Sequence, residues 1–547
     1  MTTARSDIAS SVDTLIVGAG FSGLNQLVQL RKIKDISIQV LEERPDLGGL
    51  WHSNNYPGAR TDSEWNIYQL PFEDVHQHYS PKESFPDRNA IMDYFRLVEE
   101  KLDVKKHIRF NTRVDSARWD GDLSRWIVGS TTTTANSSAS QISAKFLILC
   151  TGISAVPYVP DFKGLGDFKG TIHHSLKWPQ EGADLAGKRV GVVGTGASGV
   201  QIIQTIFDQG LESLTVFQRT PNIAIPSRLR QLDESTVGHE RYAEVLEKRL
   251  RSFTGFEYDL IFSDPAEKTP EEREQLYEEL WDKGGLRLWI AGYLSIFTDA
   301  THAREVYDFW RKKQGMRVVD PILREKLVPT EPPHHFGNRR PSLELRYYEA
   351  FNHPNVRLVD TKEAPISEFT ETGIKTEDGN EYMFDIVVLA TGFDAITGAI
   401  TRIDIRGREG IAIKDKWEDG LRTQFGLATV GFPNMFFVYG PQAPTAFSNG
   451  PSCIDIQSRF ITALIADMTV KALSIVEPTI AGEIEWTAAT HESVNRTLVP
   501  DAARSWYMGS NIPGKKVETL SYLGGVPTYI DKLRQCEESG WEGWALE

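Results

Sequence analysis

Two glycine-rich hexads constrain this chain more than any other feature. Gly18, Gly20 and Gly23 lie in GAGFSG, and Gly194, Gly196 and Gly199 lie in GTGASG. Each follows a short β-rich run, Val12 to Val17 and Arg189 to Val193. Each opens an apolar helical pattern, through Leu24, Leu27 and Leu30 and through Val200, Ile203 and Ile206. In such a unit one glycine makes a tight turn, the next lets backbone N–H groups approach a pyrophosphate, and the third allows close helix–strand contact. A lone hexad is weak. Two in strand–helix context predict an α/β chain with two Rossmann-like dinucleotide-binding domains.

The residues beyond each hexad separate the two ligands. Ile36 to Leu41 reads as the second strand of the first unit, and Glu42 ends it nineteen residues beyond Gly23. An acid there accepts from ribose hydroxyls and repels a 2′-phosphate. The equivalent strand of the second unit, Leu214 to Phe217, runs instead into Gln218, Arg219 and Thr220. Arginine pairs with phosphate bidentately, although Arg219 read alone is also an ordinary charge at a strand end. One site for a plain ribose and one for a phosphorylated ribose point to FAD plus NADPH.

At 547 residues the chain exceeds one core and should divide into two or three domains. A net charge of -15 argues against nucleic acid or an anionic membrane surface as partner. Cys150, Cys453 and Cys536 are far apart, in no metal-ligand spacing, and no C-x-x-C is present for a disulfide reductase. No apolar run is long enough to span a bilayer. The opening MTTARSDIASS leaves no room for a signal peptide. The expectation is a cytoplasmic, reduced setting without metal or integral membrane association.

Two further stretches carry more than a linker needs. Gly48 to Asp62, GGLWHSNNYPGARTD, is kept irregular by glycine and proline yet holds Trp51, Tyr56, Arg60 and Asp62, which reads as a ligand-covering loop. Phe168 to Pro179, FKGTIHHSLKWP, has the composition of a linker. It matches F-x-G-x-x-x-H-x-x-x-W-P at Phe168, Gly170, His174, Trp178 and Pro179. The loop matches G-x-W-x-x-x-x-Y-P-G-x-x-x-D at Gly49, Trp51, Tyr56, Pro57, Gly58 and Asp62. On these residues the chain resembles the type I Baeyer–Villiger monooxygenases, class B flavoprotein monooxygenases, from about residue 12 to about residue 530. N- or S-oxygenating flavin monooxygenases have a similar linker that differs at the Trp-Pro end, so Trp178-Pro179 favours the Baeyer–Villiger type.

The resemblance implies two discontinuous domains with a helical insertion. Residues 1–152 and 385–547 would bind FAD, 153–223 and 330–384 NADP, and 224–329 would be the insertion in the NADP domain. It places the 48–62 loop along the flavin, with Asp62 near a catalytic arginine. In HHFGNRR it assigns NADP binding to Arg339 and the place beside the flavin to Arg340. Relatives commonly have lysine at the first position, so Arg339 keeps the charge and changes its geometry. Read alone, an Arg-Arg pair is equally a solvated charge patch. Trp506, in SWYMGSNIPGK, falls in the family's mobile segment and contacts the nicotinamide cofactor, while His174 holds the domain interface rather than acting as a base. The implied reaction is NADPH- and O2-dependent oxidation of a ketone to an ester or lactone through a flavin peroxide, with sulfoxidation as a companion activity. Arg340 would be the charge partner and Asp62 its orienting group. A silent nucleotide-binding module is the third reading, and the intact hexads and arginine pair speak against it.

The rest of the chain gives local expectations. A helix should start at Asp87, and two strands should flank Asp120-Gly121 with Trp119, Trp126 and Val128 inward. The polar run from Ser130 to Ser140 reads as a surface loop. Glu381 to Leu389 reads as one closing strand of the NADP domain, and Pro433 to Gly440 as the last strand of the FAD domain. The tail with Trp541 and Trp544 has no assigned place.

Overall fold

The computed structural model describes residues 8–233, 239–502 and 505–547. Strand β1 (Ile8–Val17) runs into Gly18, and helix α1 (Phe21–Leu30) starts just behind it. β2 (Ile38–Leu41) lies parallel to β1 with Val17 opposite Leu41. Helix α2 (Arg88–Leu102) begins as expected at Asp87, whose carboxylate accepts the Ala90 N–H and caps the first turn. β3 (Ile108–Arg109), β4 (Thr112–Asp120), β5 (Arg125–Thr132) and β6 (Ala139–Leu149) follow. Trp119, Trp126 and Val128 are buried, as their alternation predicts. The run expected as a loop from Ser130 to Ser140 is an exposed loop at its centre, 133–138, and strand at its two flanks. Ser130 pairs with Ser140 and Thr131 with Ala139, because threonine is β-branched and suits a pleated surface.

The second unit repeats the pattern with β7 (Thr171–His174), β8 (Arg189–Val193), α3 (Ala197–Ile206) and β9 (Ser213–Gln218). After β10 (Ala224–Pro226) the chain turns helical, through α4 (Tyr242–Arg251), α5 (Pro270–Lys283) and α6 (Ala300–Gly315). It returns at β11 (Ser342–Glu344), which pairs with β10 and so pins both ends of the insertion together. β12 (Val356–Asp360) lies at the edge of the second sheet, and β13 (Ile366–Phe369), β14 (Gly373–Thr376) and β15 (Glu381–Met383) form a small antiparallel sheet. β16 (Ile386–Leu389) then enters the second sheet, whose order β12-β9-β8-β16-β7 is parallel throughout.

Two expectations need correction here. The stretch from Glu381 to Leu389 is two strands in two sheets, and the boundary expected at 384/385 falls ahead of β16 instead of behind it. The cause is burial: Ile386, Val387, Val388 and Leu389 are apolar on both faces and are accommodated between two neighbours.

The chain then goes back to the first sheet. β17 (Asp404–Arg406) pairs with β4, and β18 (Met435–Phe437) pairs with Leu147–Leu149 of β6. The first sheet thus reads β17-β4-β5-β6-β1-β2-β3, with β18 on β6. Helix α7 (Gly450–Val470), capped by Asn449, lies against α1 and turns Ile454 and Phe460 inward. β19 (Val476–Pro478), α8 (Ile480–Asn495), α9 (Val526–Glu538) and β20 (Trp544–Leu546) complete the chain. The tail packs down: β20 pairs with β19, Trp541 and Trp544 are buried, and the Trp541 indole donates to Asp467 of α7. No helix among the described residues is long and apolar enough to cross a membrane.

Candidate active site

A cavity of about 470 Å³ starts at Gly18, Gly20 and Glu42, passes Gly49 and Trp51, and reaches Asp62, Tyr68, Tyr439, Arg340 and Trp506. The first hexad leaves its floor as bare backbone. Gly18 has φ +105°, and a Cβ there would sit 2.5 Å from the Cys150 carbonyl oxygen; one on Gly23 would sit 1.9 Å from that of Gly18. Gly20 and Gly49 come close enough that a Cβ on Gly49 would meet the Gly20 Cα at 2.9 Å. Glu42 is 2% exposed, and its carboxylate accepts the N–H groups of Ala19 at 2.7 Å and Arg44 at 2.9 Å. It braces the glycine turn as well as facing the cavity. A bare turn, a helix N-terminus and an acid beyond them are the fittings of a dinucleotide with a plain ribose.

The 48–62 loop divides between two tasks. Trp51 lines the cavity and donates its indole N–H to the Tyr68 hydroxyl at 3.0 Å. Tyr56, expected on the flavin, points away from this cavity and donates to Gln201 Oε1 on α3 at 2.9 Å. Gly58, at φ +80°, backs onto the same helix, where a Cβ would fall 2.1 Å from Thr205 Oγ1. Gln201 in turn donates to the Arg60 carbonyl at 2.9 Å. The loop therefore covers the first site and grips the helix of the second.

At the deep end of the cavity Arg340 and Asp62 meet in a two-bond fork, Nε to Oδ2 at 2.6 Å and Nη2 to Oδ1 at 2.7 Å. The Arg340 side chain is only 18% exposed. Burial works against its charge, but the Asp62 carboxylate outweighs that and holds the guanidinium above its ordinary range. Nη1 points to the Ala446 carbonyl at 3.4 Å, and the backbone N–H of Arg340 donates to the Tyr507 hydroxyl at 3.0 Å. The rings of Phe256 and Trp289 each lie 5.8 Å from the guanidinium carbon. Phe447 packs on Trp289 at 5.3 Å and on Tyr507 at 4.9 Å, and Tyr507 on Trp506 at 4.1 Å. The result is a fixed cation with aromatic walls. Tyr439 is held in the left-handed region, φ +60°, with its N–H donating to Gln457 at 2.6 Å and its hydroxyl to the Thr445 carbonyl at 2.9 Å.

The second hexad repeats the first. A Cβ on Gly194 would sit 2.4 Å from the Ala390 carbonyl oxygen and one on Gly199 2.2 Å from that of Gly194, whereas Gly196 faces open space. Thr195 donates to the Thr220 carbonyl at 3.0 Å, tying the hexad to the end of β9. Arg219 follows β9, and Arg339 is brought to it from the far side of the insertion. Burial pulls the Arg339 guanidinium below its ordinary range, and the Arg219 charge adds to this. Burial and then Arg339 push the His334 imidazole down to about 4, so it adds no third charge. Two cations converging beside an open glycine turn suit a phosphorylated ribose.

The 168–179 stretch lies outside the cavity. Phe168 and Trp178 are buried, and a Cβ on Gly170 would strike the Phe168 ring at 2.4 Å and the Asp385 carbonyl oxygen at 2.6 Å. His174 Nδ1 accepts the Leu176 N–H at 3.1 Å, which leaves the proton on Nε2 to be donated to the Gly392 carbonyl at 3.2 Å. Burial lowers its pKa, so the imidazole is neutral and fully engaged. The Pro179 carbonyl accepts from Asn55 of the 48–62 loop at 2.8 Å. This stretch joins the crossover at 392 to the cavity loop.

Sequence reasoning did not name Phe256, Trp289, Phe447, Tyr68, Tyr439 or Tyr507. Their stretches did carry signals, since 65–72 continues the cavity loop, Phe447 lies in GPQAPTAFSNG and Tyr507 follows Trp506 in SWYMGSNIPGK.

The sequence model of the family described as flavin-binding monooxygenase-like matches residues 12–228. Cyclopentanone 1,2-monooxygenase of Comamonas sp. (strain NCIMB 9872) is 42% identical over 546 residues, covering 99% of this chain and 97% of that protein. A Baeyer–Villiger monooxygenase of Pseudooceanicola batsensis is 34% identical over 539 residues, covering 98% and 96%. Among solved structures, OTEMO in complex with FAD and NADP is similar with a TM-score of 0.92 and 34% identity, covering 99% of this chain and 100% of that one.

Proposed function

Because the chain belongs to the Baeyer–Villiger type of the flavin-binding monooxygenases, we propose that Arg340 and Asp62 are the pair that serves oxygen insertion into its ketone. The enzyme oxidises ketones to esters or lactones with NADPH and O2. FAD, reduced by NADPH, supplies the activation of O2. Gly18, Gly20 and Glu42 would hold its adenosine and pyrophosphate, Gly23 lets the helix approach closely enough for that, and Gly49 and Trp51 would cover it. Gly194 and Gly196 would take the NADP pyrophosphate, with Gly199 packing the helix behind them, Arg219, Thr220 and Arg339 would take its phosphorylated ribose, and Trp506 would meet the nicotinamide end.

At the ketone, Arg340 offers a permanent positive charge to the oxygen that becomes negative as the carbonyl carbon is attacked. In a site with little water such a charge is worth more than in solution. Asp62 keeps the guanidinium in one orientation, since both of its oxygens are committed to it. Phe256, Trp289 and Phe447 exclude water and select apolar ketones over charged ones. The two-bond fork at the end of the cavity lined by the first hexad is the observation that carries this reading.

The test is turnover with NADPH over linear, cyclic and aryl ketones, counting ester or lactone per NADPH consumed, with a thioether arm for sulfoxidation. Ester or lactone in step with NADPH is expected from at least one ketone class. NADPH consumption without any ester or lactone across the whole panel overturns it.

A further inference from the structure

The fork to Asp62 sets the direction of the Arg340 guanidinium but not the position of its backbone. Arg340 lies in the irregular stretch between Asn338 and Ser342, where neither helix nor strand takes its N–H. That N–H goes to the Tyr507 hydroxyl, 3.0 Å away and 167 residues on in the chain. Without it a largely buried donor would be left unsatisfied. Tyr507 is itself buried, packed between Phe447 and Trp506. Trp506 lines the cavity. Further along the same segment, Lys515 donates to Asp394 at 2.7 Å and Asn511 to the Phe393 carbonyl at 2.9 Å, so the segment is also fastened to the crossover between the two sheets.

We propose that Tyr507 is a positioning residue for oxygen insertion: its hydroxyl registers the Arg340 backbone, so that covering the cofactor with Trp506 and placing Arg340 are one event. This rests on Arg340 being the charge used in oxygen insertion. Burial pushes the Tyr507 phenol up to about 12, so it stays a neutral acceptor at any working pH. Hydride transfer needs the two cofactor rings together but not Arg340 in register. The two half-reactions should therefore separate when the hydroxyl is removed.

The experiment is Tyr507→Phe beside Arg340→Ala in the FAD-loaded enzyme, with a melting curve for each. Tyr507→Phe keeps the ring packing and removes one oxygen. Expected are an NADPH KM and an anaerobic flavin-reduction rate within about 2-fold of the parent. Product per NADPH should fall about 5- to 10-fold, as for one lost hydrogen bond that leaves a buried donor unmet, with hydrogen peroxide making up the balance. A Tyr507→Phe enzyme as well coupled as the parent, while Arg340→Ala is uncoupled, overturns the role of Tyr507. So does a parallel fall in reduction, coupling and melting temperature, which marks a purely structural residue. If Arg340→Ala itself stays coupled, the reading of Arg340 falls first.

Discussion

Substitution of Arg339 tests the second site most sharply, because its effect should depend on a single phosphate. Arg339 is partly buried and faces the charge of Arg219. A charge-assisted hydrogen bond to phosphate is worth about 1.5–3 kcal/mol, and partial burial puts Arg339 in the upper part of that range. Taking about 2–3 kcal/mol, Arg339→Ala should raise the KM for NADPH about 30- to 150-fold. NADH lacks the phosphate, so its KM should move by no more than about 2-fold. Arg219 is exposed, and salt screens such charges over about 8–10 Å at physiological strength. Arg219→Ala should therefore have the smaller effect, and one that shrinks as salt is raised. Arg339→Lys, which keeps the charge and loses the planar fork, should cost NADPH less than Arg339→Ala does. Steady-state kinetics with both coenzymes at saturating ketone, at low and high salt, measure all three. An Arg339→Ala enzyme that weakens NADH and NADPH equally would refute the phosphate assignment and return the arginine pair to a structural role.

Arg340→Ala should retain flavin reduction but lose about 10²- to 10³-fold in oxygen insertion, the scale of deleting one preorganised stabilising group. Anaerobic stopped-flow reduction followed by product and peroxide analysis in air measures both halves. Asp62→Ala should show the same fault in milder form, since the charge remains and only its orientation is lost; a variant as severe as Arg340→Ala would give Asp62 a direct part. Gly23→Ala should yield protein that purifies without its yellow colour, because a Cβ 1.9 Å from the Gly18 carbonyl forces the turn apart. The ratio of flavin to protein absorbance reads this out, and full FAD retention would contradict the packing argument.

How much the sequence disclosed depends on how local each feature is. Each hexad shares a single strand–turn–helix–strand unit with its own following residue, Glu42 in the first and Arg219 in the second, and there the spacing itself carries the geometry. Asp62 and Arg340 were each found in a motif, but only the fold shows their fork. Phe256, Trp289, Phe447 and Tyr507 come from stretches that have no nucleotide pattern, and their convergence is purely tertiary. Tyr56 meets the helix of the second hexad and not the first cavity, a distinction the sequence does not carry because an aromatic in a glycine-rich loop fits a ligand and a neighbouring helix equally well. The 381–389 stretch misled because apolar periodicity continues through Phe384-Asp385, where the chain leaves one sheet for another. The Ser/Thr run at 130–140 reads as loop by polarity, and 133–138 is one, while the residues flanking it extend the hairpin.

The place of β18 bears on how the protein is made. Its three residues, Met435–Phe437, lie beside Leu147–Leu149 of β6, a strand synthesised almost 290 residues earlier. At about 5–20 residues per second on a ribosome, the nascent first sheet waits tens of seconds with that apolar edge uncovered. The whole second sheet and the helical insertion emerge during the wait. FAD therefore meets a complete pocket only late in translation, and a chain arrested before residue 435 should present a sticky, cofactor-free half to chaperones rather than a working flavin domain.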